Sequence, residues 1–361
     1  MSSTITSGSS DSGPGVRPAL RYLLLCLFVL AAFAASLALG SVRLPLHDVA
    51  ALFTGGRMQH GSSRAILLLF RLPKALTAMT AGAALGLAGL VMQTLFRNPL
   101  AGPFILGINS GASLGVALVV LASGGSAGGV LVAGLALSGN LGVAAAASAG
   151  SAAVLLLVLA VSRRVQSVMT LLILGLLFSY GVDALTTILI NFSAAERIQT
   201  YISWTFGSFG GVSWPQYWVL LAAILAGTAL TVISIKPLNA LLLGEHYAVS
   251  MGVSLRPARL ILILASALLA GTVTAFCGPI GFLGIAMPHL ARALFRTSDH
   301  RTLVPSTALL GMLVALVADL IAQVPGSDTI LPLNAVTSLI GAPVVGWVIL
   351  RRREFRGAFG S

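Results

Sequence analysis

The chain has 361 residues, of which 57% are hydrophobic and only 8% are charged, against about 25% charged in an average soluble domain. This number of charges is too small to cover the water-facing side of soluble helices. The composition therefore excludes an ordinary soluble domain and predicts a polytopic α-helical membrane protein. The net charge of +12 does not indicate nucleic-acid binding, because the basic residues are scattered through the short gaps between apolar runs. Cys26 and Cys277 lie in apolar runs, which predicts neither a disulfide framework nor a metal cluster.

A polar tail and then ten apolar windows divide the chain. Residues 1–19 are mostly Ser, Gly and Pro and predict a disordered tail. Windows long enough to span a bilayer follow at 21–41, 72–95, 104–122, 141–161, 168–191, 216–235, 258–277, 282–296, 304–323 and 333–350. The eighth window is short and is interrupted at Met287-Pro288-His289, and residues 123–140 are either a loop or a short extra helix. An all-α protein with about ten transmembrane helices is therefore expected.

The basic residues indicate the side of the membrane on which each gap lies. With a cytoplasmic N-terminal tail and ten spans, fifteen Lys and Arg residues fall on the cytoplasmic side and six on the other. Because positive charge resists crossing a bilayer, this asymmetry predicts that both termini are cytoplasmic. The outer six need a separate explanation, since all but the last lie within residues 43–74: Arg43, Arg57, Arg64, Arg71, Lys74 and Arg197.

Two segments between the windows predict helices outside the bilayer core. Residues 196–211 are amphipathic and rich in aromatic side chains, which is typical of the outer membrane interface. Residues 236–257 are moderately polar, with a glycine near the end of each half. They predict two short cytoplasmic helices of a kind that proteins use to contact a partner.

The stretch QTLFRNPLAGPFILGINSGASLG, residues 93–115, separates the second and third windows. Pro99 and Pro103 cannot continue a helix, so the second span is expected to end near Phe96. Backbone released from a helix needs partners in protein or water, which places RNPLAGP at the cytoplasmic mouth or along a cavity. The glycines at 107, 111 and 115 are spaced by four and predict a stripe for close helix packing.

Catalytic motifs are weak in this chain. Residues 111–115 match the G-x-S-x-G pattern, but neither a preceding strand nor an acid and histidine partner set accompanies them. The two lysines, Lys74 and Lys236, lack the glycines of a phosphate-binding loop. We therefore expect that the chain is not an enzyme, does not hydrolyse ATP itself and binds no cofactor or metal.

Five blocks of the sequence, in collinear order over residues 20–353, resemble the FecCD-type permeases, the membrane subunits of ABC importers for iron-siderophores, haem and cobalamin. The first block runs from FRLPKALTAMTAGAALG to INSGASLG at residues 70–115, and includes the stretch just described. The others are GSFGGVSWPQYW (207–218), LNALLLGEHYAVSMGV (238–253), GPIGFLGIAMPHLAR with DHRTLVPSTALLG (278–311), and LPLNAVTSLIGAPVVGWVILRRR (331–353).

The resemblance implies an architecture and a set of partners. It implies a type II ABC importer permease fold over residues 20–353, followed by a cytoplasmic tail at 354–361. It also implies a homodimer in the inner membrane, two ATPase subunits in the cytoplasm that carry ATP and Mg, and a substrate-binding protein on the outer side. Lipid is the surrounding medium, and nucleic acid has no role.

The resemblance further implies a docking site for the binding protein. The family's R-L-P-R motif at the outer end of the second span is Arg71-Leu72-Pro73-Lys74 here, which accounts for basic charge on the disfavoured side. The family's A-D-x-x-A-R run is represented by residues 318–323, in which Asp319 is kept and Gln323 replaces the arginine. We therefore expect a docking site with fewer ion pairs.

Other residues are assigned to ATPase coupling and to the translocation pathway. The segment 238–255 resembles the family's coupling helices, so Gly244, Glu245, His246 and Gly252 are predicted ATPase contacts, although a solvated loop explains Glu245 and His246 equally well. The inner gate is expected where the fifth span begins, at Ser167 and Val168. The helix break Arg97-Asn98-Pro99 is predicted to border the same opening.

Asp183 lies near the middle of the fifth span. An acid at that depth costs roughly 2.5 to 3.5 kcal/mol on insertion scales, so it is expected to face the interior or a water-filled cavity. Packing against Ser179 or Thr186 is the alternative. His289 follows a proline in a pattern shared across the family whatever the substrate, which favours a structural role over metal ligation.

The predicted function is ATP-driven import of an iron chelate by alternating access at a homodimer interface, with a ferric siderophore as the favoured cargo. Haem and cobalamin are the alternatives within the same class. A secondary transporter is the alternative from another class, but it predicts inverted repeats and more paired intramembrane charges. A membrane hydrolase would need a nucleophile and base in the bilayer.

Overall fold

The computed structural model describes residues 18–40, 64–121, 140–165, 168–324 and 330–350, together with His47. Regular structure within these residues is helical throughout. The helices are α1 (Pro18–Ala38), α2 (Leu72–Leu95), α3 (Ile108–Val120), α4 (Asn140–Arg164), α5 (Val168–Asn191), α6 (Ala195–Thr205), α7 (Trp214–Ile233), α8 (Ile235–Leu242), α9 (Glu245–Ser250), α10 (Leu255–Cys277), α11 (Leu283–Phe295), α12 (His300–Ala322) and α13 (Leu333–Leu350).

Ten of these helices occupy the ten predicted windows. Seven are long and apolar enough to cross a membrane, while α3, α11 and α13 are shorter apolar helices. At about 1.5 Å per residue, the 13 residues of α3 and of α11 rise less than the ~30 Å of a bilayer core. The expected all-α fold is therefore confirmed, with three of the ten helices shorter than a straight crossing.

Helix α2 forms the centre of the bundle. Nineteen of its 24 residues are buried, and it packs against α7, α10, α11 and α12. A π-helical turn, Ile66–Arg71, precedes it, and the Leu72 backbone N–H donates to the carbonyl of Leu67. This wider turn accommodates the ring of Pro73, which would clash with a carbonyl in a regular helix. The predicted end near Phe96 is confirmed, because α2 ends at Leu95 with Phe96 as its cap.

Glycines allow the backbones of neighbouring helices to touch. A Cβ on Gly89 would overlap the carbonyl of Gly284 in α11, and a Cβ on Gly82 would overlap that of Gly311 in α12. Gly111 of α3 meets Gly150 of α4 in the same manner. In lipid there is no hydrophobic driving force between helices, so their association depends on the close van der Waals packing that small residues permit. The predicted glycine stripe is thus confirmed at 111 and, against Ala146, at 115, whereas Gly107 has a left-handed φ of 78° and caps α3.

Pro288 does not interrupt the eighth span as the sequence suggested. Helix α11 continues through it from Leu283 to Phe295. Because Pro288 has no N–H, the carbonyl of Gly284 four residues earlier receives no helical hydrogen bond from it, and this carbonyl lies against Gly89 of α2. The neighbouring turn is held by His289, whose Nε2 donates to the carbonyl of Pro99 over 2.8 Å. The histidine therefore has the structural contact that its sequence context favoured.

The two segments expected outside the span windows are helical. Residues 196–211 contain α6 and then a turn, and residues 236–257 contain α8 and α9. We refer to α8 and α9 together, residues 235–250, as the bracket. Residues 1–17, 122–139 and 351–361 lie outside the described residues, so the predicted tails and the choice between loop and helix at 123–140 stay predictions.

Candidate functional site

The predicted site residues lie mainly at the two ends of α2. Arg71 and Lys74 are at its beginning, which we call the rim end of the bundle. The helix break at Arg97 and the bracket are at its other end, which we call the bracket end. Helix α12 runs antiparallel to α2, so its first residues are at the bracket end and its last residues at the rim end.

Arg71 ties two helices together at the rim end. Its Nη1 donates to the carbonyls of Leu37 over 2.7 Å and Ala38 over 2.9 Å, at the end of α1. Those carbonyls have no partner within their own helix, and a cation there also favours the negative end of the helix dipole. The guanidinium also borders Gly40, whose open side is shared with Gln323. Arg71 is half-buried and has structural contacts of its own.

Lys74 is paired within the chain. Its Nζ lies 3.1 Å from Asp319 Oδ1, and Gln323 Nε2 donates to the other carboxylate oxygen over 2.7 Å. Asp319 is only 3% exposed. A buried carboxylate needs such partners, because an unpaired charge in an apolar interior is costly. Gln323, which replaces the family's arginine, supplies a neutral donor to Asp319.

The four predicted docking residues are therefore brought together, and we call Arg71, Lys74, Asp319 and Gln323 the rim cluster. The cluster joins the ends of α1, α2 and α12. Its two cations already have oxygen partners inside the chain. An external carboxylate that binds Lys74 would therefore have to compete with Asp319.

The helix break at the bracket end is an ordered turn. Arg97 has a left-handed φ of 46°, and the Asn98 N–H donates to the carbonyl of Gln93, which closes the end of α2. The Asn98 side chain accepts from the N–H of Leu100 over 3.0 Å. The Arg97 side chain is exposed and points toward Gly244 of the bracket, 3.7 Å from the position that a Cβ would occupy there. Arg97 thus borders the bracket, whereas the carbonyl of Pro99 accepts from His289 of α11.

The four residues predicted to contact the ATPase lie in α9 and in the turns on either side of it. Gly244 and Gly252 have φ angles of 109° and 82°, which favour glycine, and they stand before and after the helix. Glu245 begins α9 and accepts a 2.6 Å hydrogen bond from Arg259 of α10, which fixes the bracket to that helix. The side chain of His246 is exposed. The backbone conformation of these two turns therefore explains why positions 244 and 252 are glycine.

The predicted pathway residues on α5 lie apart from both the rim cluster and the bracket. Asp183 lies on the exposed side of α5, and the hydroxyl of its proposed neighbour Ser179 donates to the helix's own Gly175 carbonyl. Only 17% of the α5 span is buried inside this chain. Ser167 lies outside the described residues, and Val168 begins α5, with its side chain outside the description.

A polar set at the bracket end, in which Thr94 and His300 are buried, was missed by sequence reasoning. It consists of Thr94 in the last turn of α2, Asn239 on α8, and Asp299 and His300 at the beginning of α12, all linked by hydrogen bonds. One part had a readable signal, because an Asp immediately before an apolar window is typical of a helix N-cap. Asp299 accepts from the Arg301 N–H over 2.9 Å as such a cap.

Metal ligation finds no support in the described residues. No group of three or more His, Cys, Asp or Glu side chains there is arranged to hold an ion.

Comparison with known proteins identifies the family. The sequence profile described as the FecCD transport family matches residues 27–351. Proteins named "Vitamin B12 import system permease protein BtuC" are similar over most of the chain. The one from Citrobacter koseri is 37% identical, covering 79% of this chain and 82% of the relative. The one from Salmonella typhi is 38% identical, covering 78% and 82% respectively.

A solved structure shares the fold. A metal-chelate type ABC transporter in an inward-facing conformation superposes with a TM-score of 0.78 at 27% sequence identity, covering 92% of this chain and 99% of that one. The chain therefore belongs to the FecCD transport family and is a membrane permease subunit of an ABC importer.

Proposed function

We propose that this permease carries a metal chelate into the cell, with cobalamin as the first candidate cargo. The observation that carries the proposal is the similarity to vitamin B12 permeases over 78–79% of the chain. The metal-chelate type of the solved relative supports the wider cargo class. The sequence favoured a ferric siderophore, and cobalamin has at least as much support, so ferric siderophore and haem become the competing cargoes of the test.

The bracket is proposed as the contact with a separate ATPase subunit. Four apolar side chains of this region, Leu243, Tyr247, Val249 and Met251, are between 55% and 66% exposed. Apolar side chains at the end of a bundle are suited to burial against a partner protein. Together with Gly244, Glu245, His246 and Gly252, they lie within one short stretch of chain, residues 243–252. This assignment places the bracket end and both termini on the cytoplasmic side of the inner membrane.

A homodimer is proposed to enclose the pathway. The α5 span exposes most of its surface, including Asp183, and an acid at mid-span is expected to face protein or water rather than lipid. A second copy of the chain across a twofold axis would line the same cavity with its own α5. Ser167 and Val168, at the beginning of α5, would then border the inner opening.

Uptake into vesicles tests cargo and energy source together. The permease is purified with an ABC ATPase subunit from the same organism, reconstituted in liposomes, and supplied with a candidate binding protein and labelled cobalamin, ferric siderophore or haem. ATP-dependent accumulation of one chelate is expected. Uptake driven by an ion gradient without ATP would instead support a secondary transporter, and uptake of an uncomplexed ion would contradict the cargo class.

Binding-protein docking at the rim cluster is tested by charge reversal. Arg71→Glu is expected to abolish stimulation of ATP hydrolysis by the binding protein, because it repels an acidic partner and loosens α1. Arg64→Glu is the matched control, since Arg64 is an exposed arginine in the same segment. Equal stimulation in wild type and Arg71→Glu would show that docking occurs elsewhere.

A further inference from the structure

Three side chains at the bracket end form a continuous hydrogen-bonded chain across three helices. Asn239 on α8 lies 2.8 Å from Nδ1 of His300 at the beginning of α12, and Nε2 of the same ring lies 2.8 Å from the Thr94 hydroxyl of α2. His300 is 0% exposed and Thr94 is 2% exposed. We call Asn239, His300 and Thr94 the polar chain.

The direction of each hydrogen bond follows from the available donors. The backbone N–H of His300 donates to Asn239 Oδ1 over 2.9 Å, so the amide oxygen faces the histidine and Nδ1 must carry the proton that it donates. A neutral ring then has Nε2 free to accept, and the Thr94 hydroxyl, which also lies 3.0 Å from the Leu90 carbonyl of its own helix, donates its single proton to Nε2. The amide nitrogen of Asn239 donates in turn to Asp299 over 2.6 Å. This arrangement gives every member of the polar chain a partner, and it uses the Thr94 hydroxyl proton that would otherwise bond within α2.

The polar chain ties α8 to α2 and α12 by directional hydrogen bonds. The buried apolar side chains Leu238, Ala240 and Leu241 attach α8 as well. A shift of α8 alone would leave buried donors and acceptors without partners, which is strongly unfavourable. Helices α2 and α12 must therefore follow α8.

The adjacent residue extends the connection to a fourth element. Gln93, next to Thr94 on α2, accepts from Arg292 Nη1 of α11 over 2.7 Å and donates to the Ile285 carbonyl over 3.1 Å. Both Gln93 and Arg292 are buried. The last turn of α2 is thus bonded to α11 on one side and, through His300, to the bracket on the other.

We propose that Asn239, His300 and Thr94 are positioning residues that transmit displacement of the bracket to α2 and α12, so that ATP hydrolysis by the partner is converted into cargo movement. The inference rests on the proposed ATPase contact of the bracket. It assigns the conversion to the polar chain inside the permease and not to the surface residues of the bracket, which touch the partner.

Two substitutions of Thr94, one without the hydroxyl and one with it, test the proposal in the reconstituted transporter. Thr94→Val removes the hydroxyl and keeps the volume, and is expected to lower the cargo moved per ATP hydrolysed at least about fivefold. Thr94→Ser restores the hydroxyl and should restore the ratio. Thr77→Val is the control, because Thr77 is equally buried on α2 and its hydroxyl donates to the Pro73 carbonyl of its own helix. A Thr94→Val ratio equal to that of Thr77→Val would overturn the proposal.

A spectroscopic readout separates this proposal from the proposed function. Nitrogen NMR of the full-length permease labelled at its histidines is expected to show His300 protonated on Nδ1, with an Nε2 resonance that shifts in Thr94→Val and not in Thr77→Val. A ring protonated only on Nε2 would overturn the polar chain even if the wild-type complex imports cobalamin. Conversely, the expected signature in a complex without ATP-driven uptake would leave the hydrogen bonds in place and overturn both the proposed function and the coupling role.

Discussion

Asp299 illustrates how a single exposed residue connects two functional parts of the molecule. It caps α12 through the Arg301 N–H and accepts from the Asn239 amide of the bracket. These two donors, together with nearby positive charge, hold the pKa of the Asp299 carboxyl below its usual range. Both donors bind the ionised form, so the cap and the attachment of the bracket depend on the same charge.

The pH dependence of stability follows from that pKa. Because the folded pKa is depressed, Asp299 contributes stability above its unfolded pKa of about 3.9, and this contribution is lost as the pH falls through the folded value. Asp299→Asn keeps a capping oxygen but removes the charge, so it should flatten the decline in the unfolding temperature between about pH 5 and pH 3. Thermal unfolding in detergent across that range measures it, and parallel declines in the two proteins would contradict the assignment.

Other single-residue contacts could not be predicted from the sequence, although the residues themselves could. Lys74 and Asp319 were both placed at the rim by resemblance, yet their direct ion pair depends on how α2 and α12 are packed. His300 and Thr94 are 206 positions apart, and no local pattern joins them. Periodicity predicts which residues share a helix, whereas hydrogen bonds between helices depend on tertiary geometry.

At the scale of the element, α2 combines close backbone contact on its sides with polar contacts at its ends. Gly82 and Gly89 meet α12 and α11 respectively. The sequence predicted the bounds of this helix well, because its prolines and apolar composition are local signals. It indicated close packing only for the stripe at 107–115, since glycines are frequent throughout the chain and a partner glycine is visible only in three dimensions.

Substitution of Gly89 tests the importance of these contacts. An Ala Cβ would overlap the carbonyl of Gly284, and backbone cannot yield as a flexible side chain can. We expect Gly89→Ala to lower the free energy of unfolding by about 1–3 kcal/mol. Gly181→Ala on α5 is the control, because no heavy atom lies within 4 Å of its Cβ position. Unfolding temperatures measured in detergent should differ accordingly, and equal values would contradict close contact at this crossing.

At the scale of the whole molecule, burial is uneven among the spans. In the most apolar 18-residue window of Ile66–Leu95, 83% of the residues are buried, whereas in that of α5 only 17% are buried. Composition predicted ten apolar helices but not this difference, because an apolar side chain is equally compatible with lipid, with its own chain or with a second copy. The proposed homodimer would bury the face of α5 that this chain leaves open.

Cysteine cross-linking distinguishes a subunit interface from a lipid-facing surface. In a Cys26→Ser background, single cysteines at exposed α5 positions Ile173, Leu177, Tyr180 and Ile188 are expected to yield a covalent dimer at one or more sites. Leu30→Cys on α1 is the control, since Leu30 is 62% exposed and Leu177 is 59% exposed. Dimer formation on a denaturing gel provides the measurement. Cross-linking at Leu30 and at none of the α5 positions would place the interface on α1.

The Arg71 contacts with the carbonyls of Leu37 and Ala38 have a practical consequence for protein engineering. They hold the end of α1 beside the π-helical turn that leads into α2, so the two described segments that flank residues 41–63 are held together at the rim end. When the ends of a connection are already fixed together, doubling its length costs only about 0.6 kcal/mol. An epitope or fluorescent reporter inserted within positions 41–63 is therefore expected to leave the described helices intact.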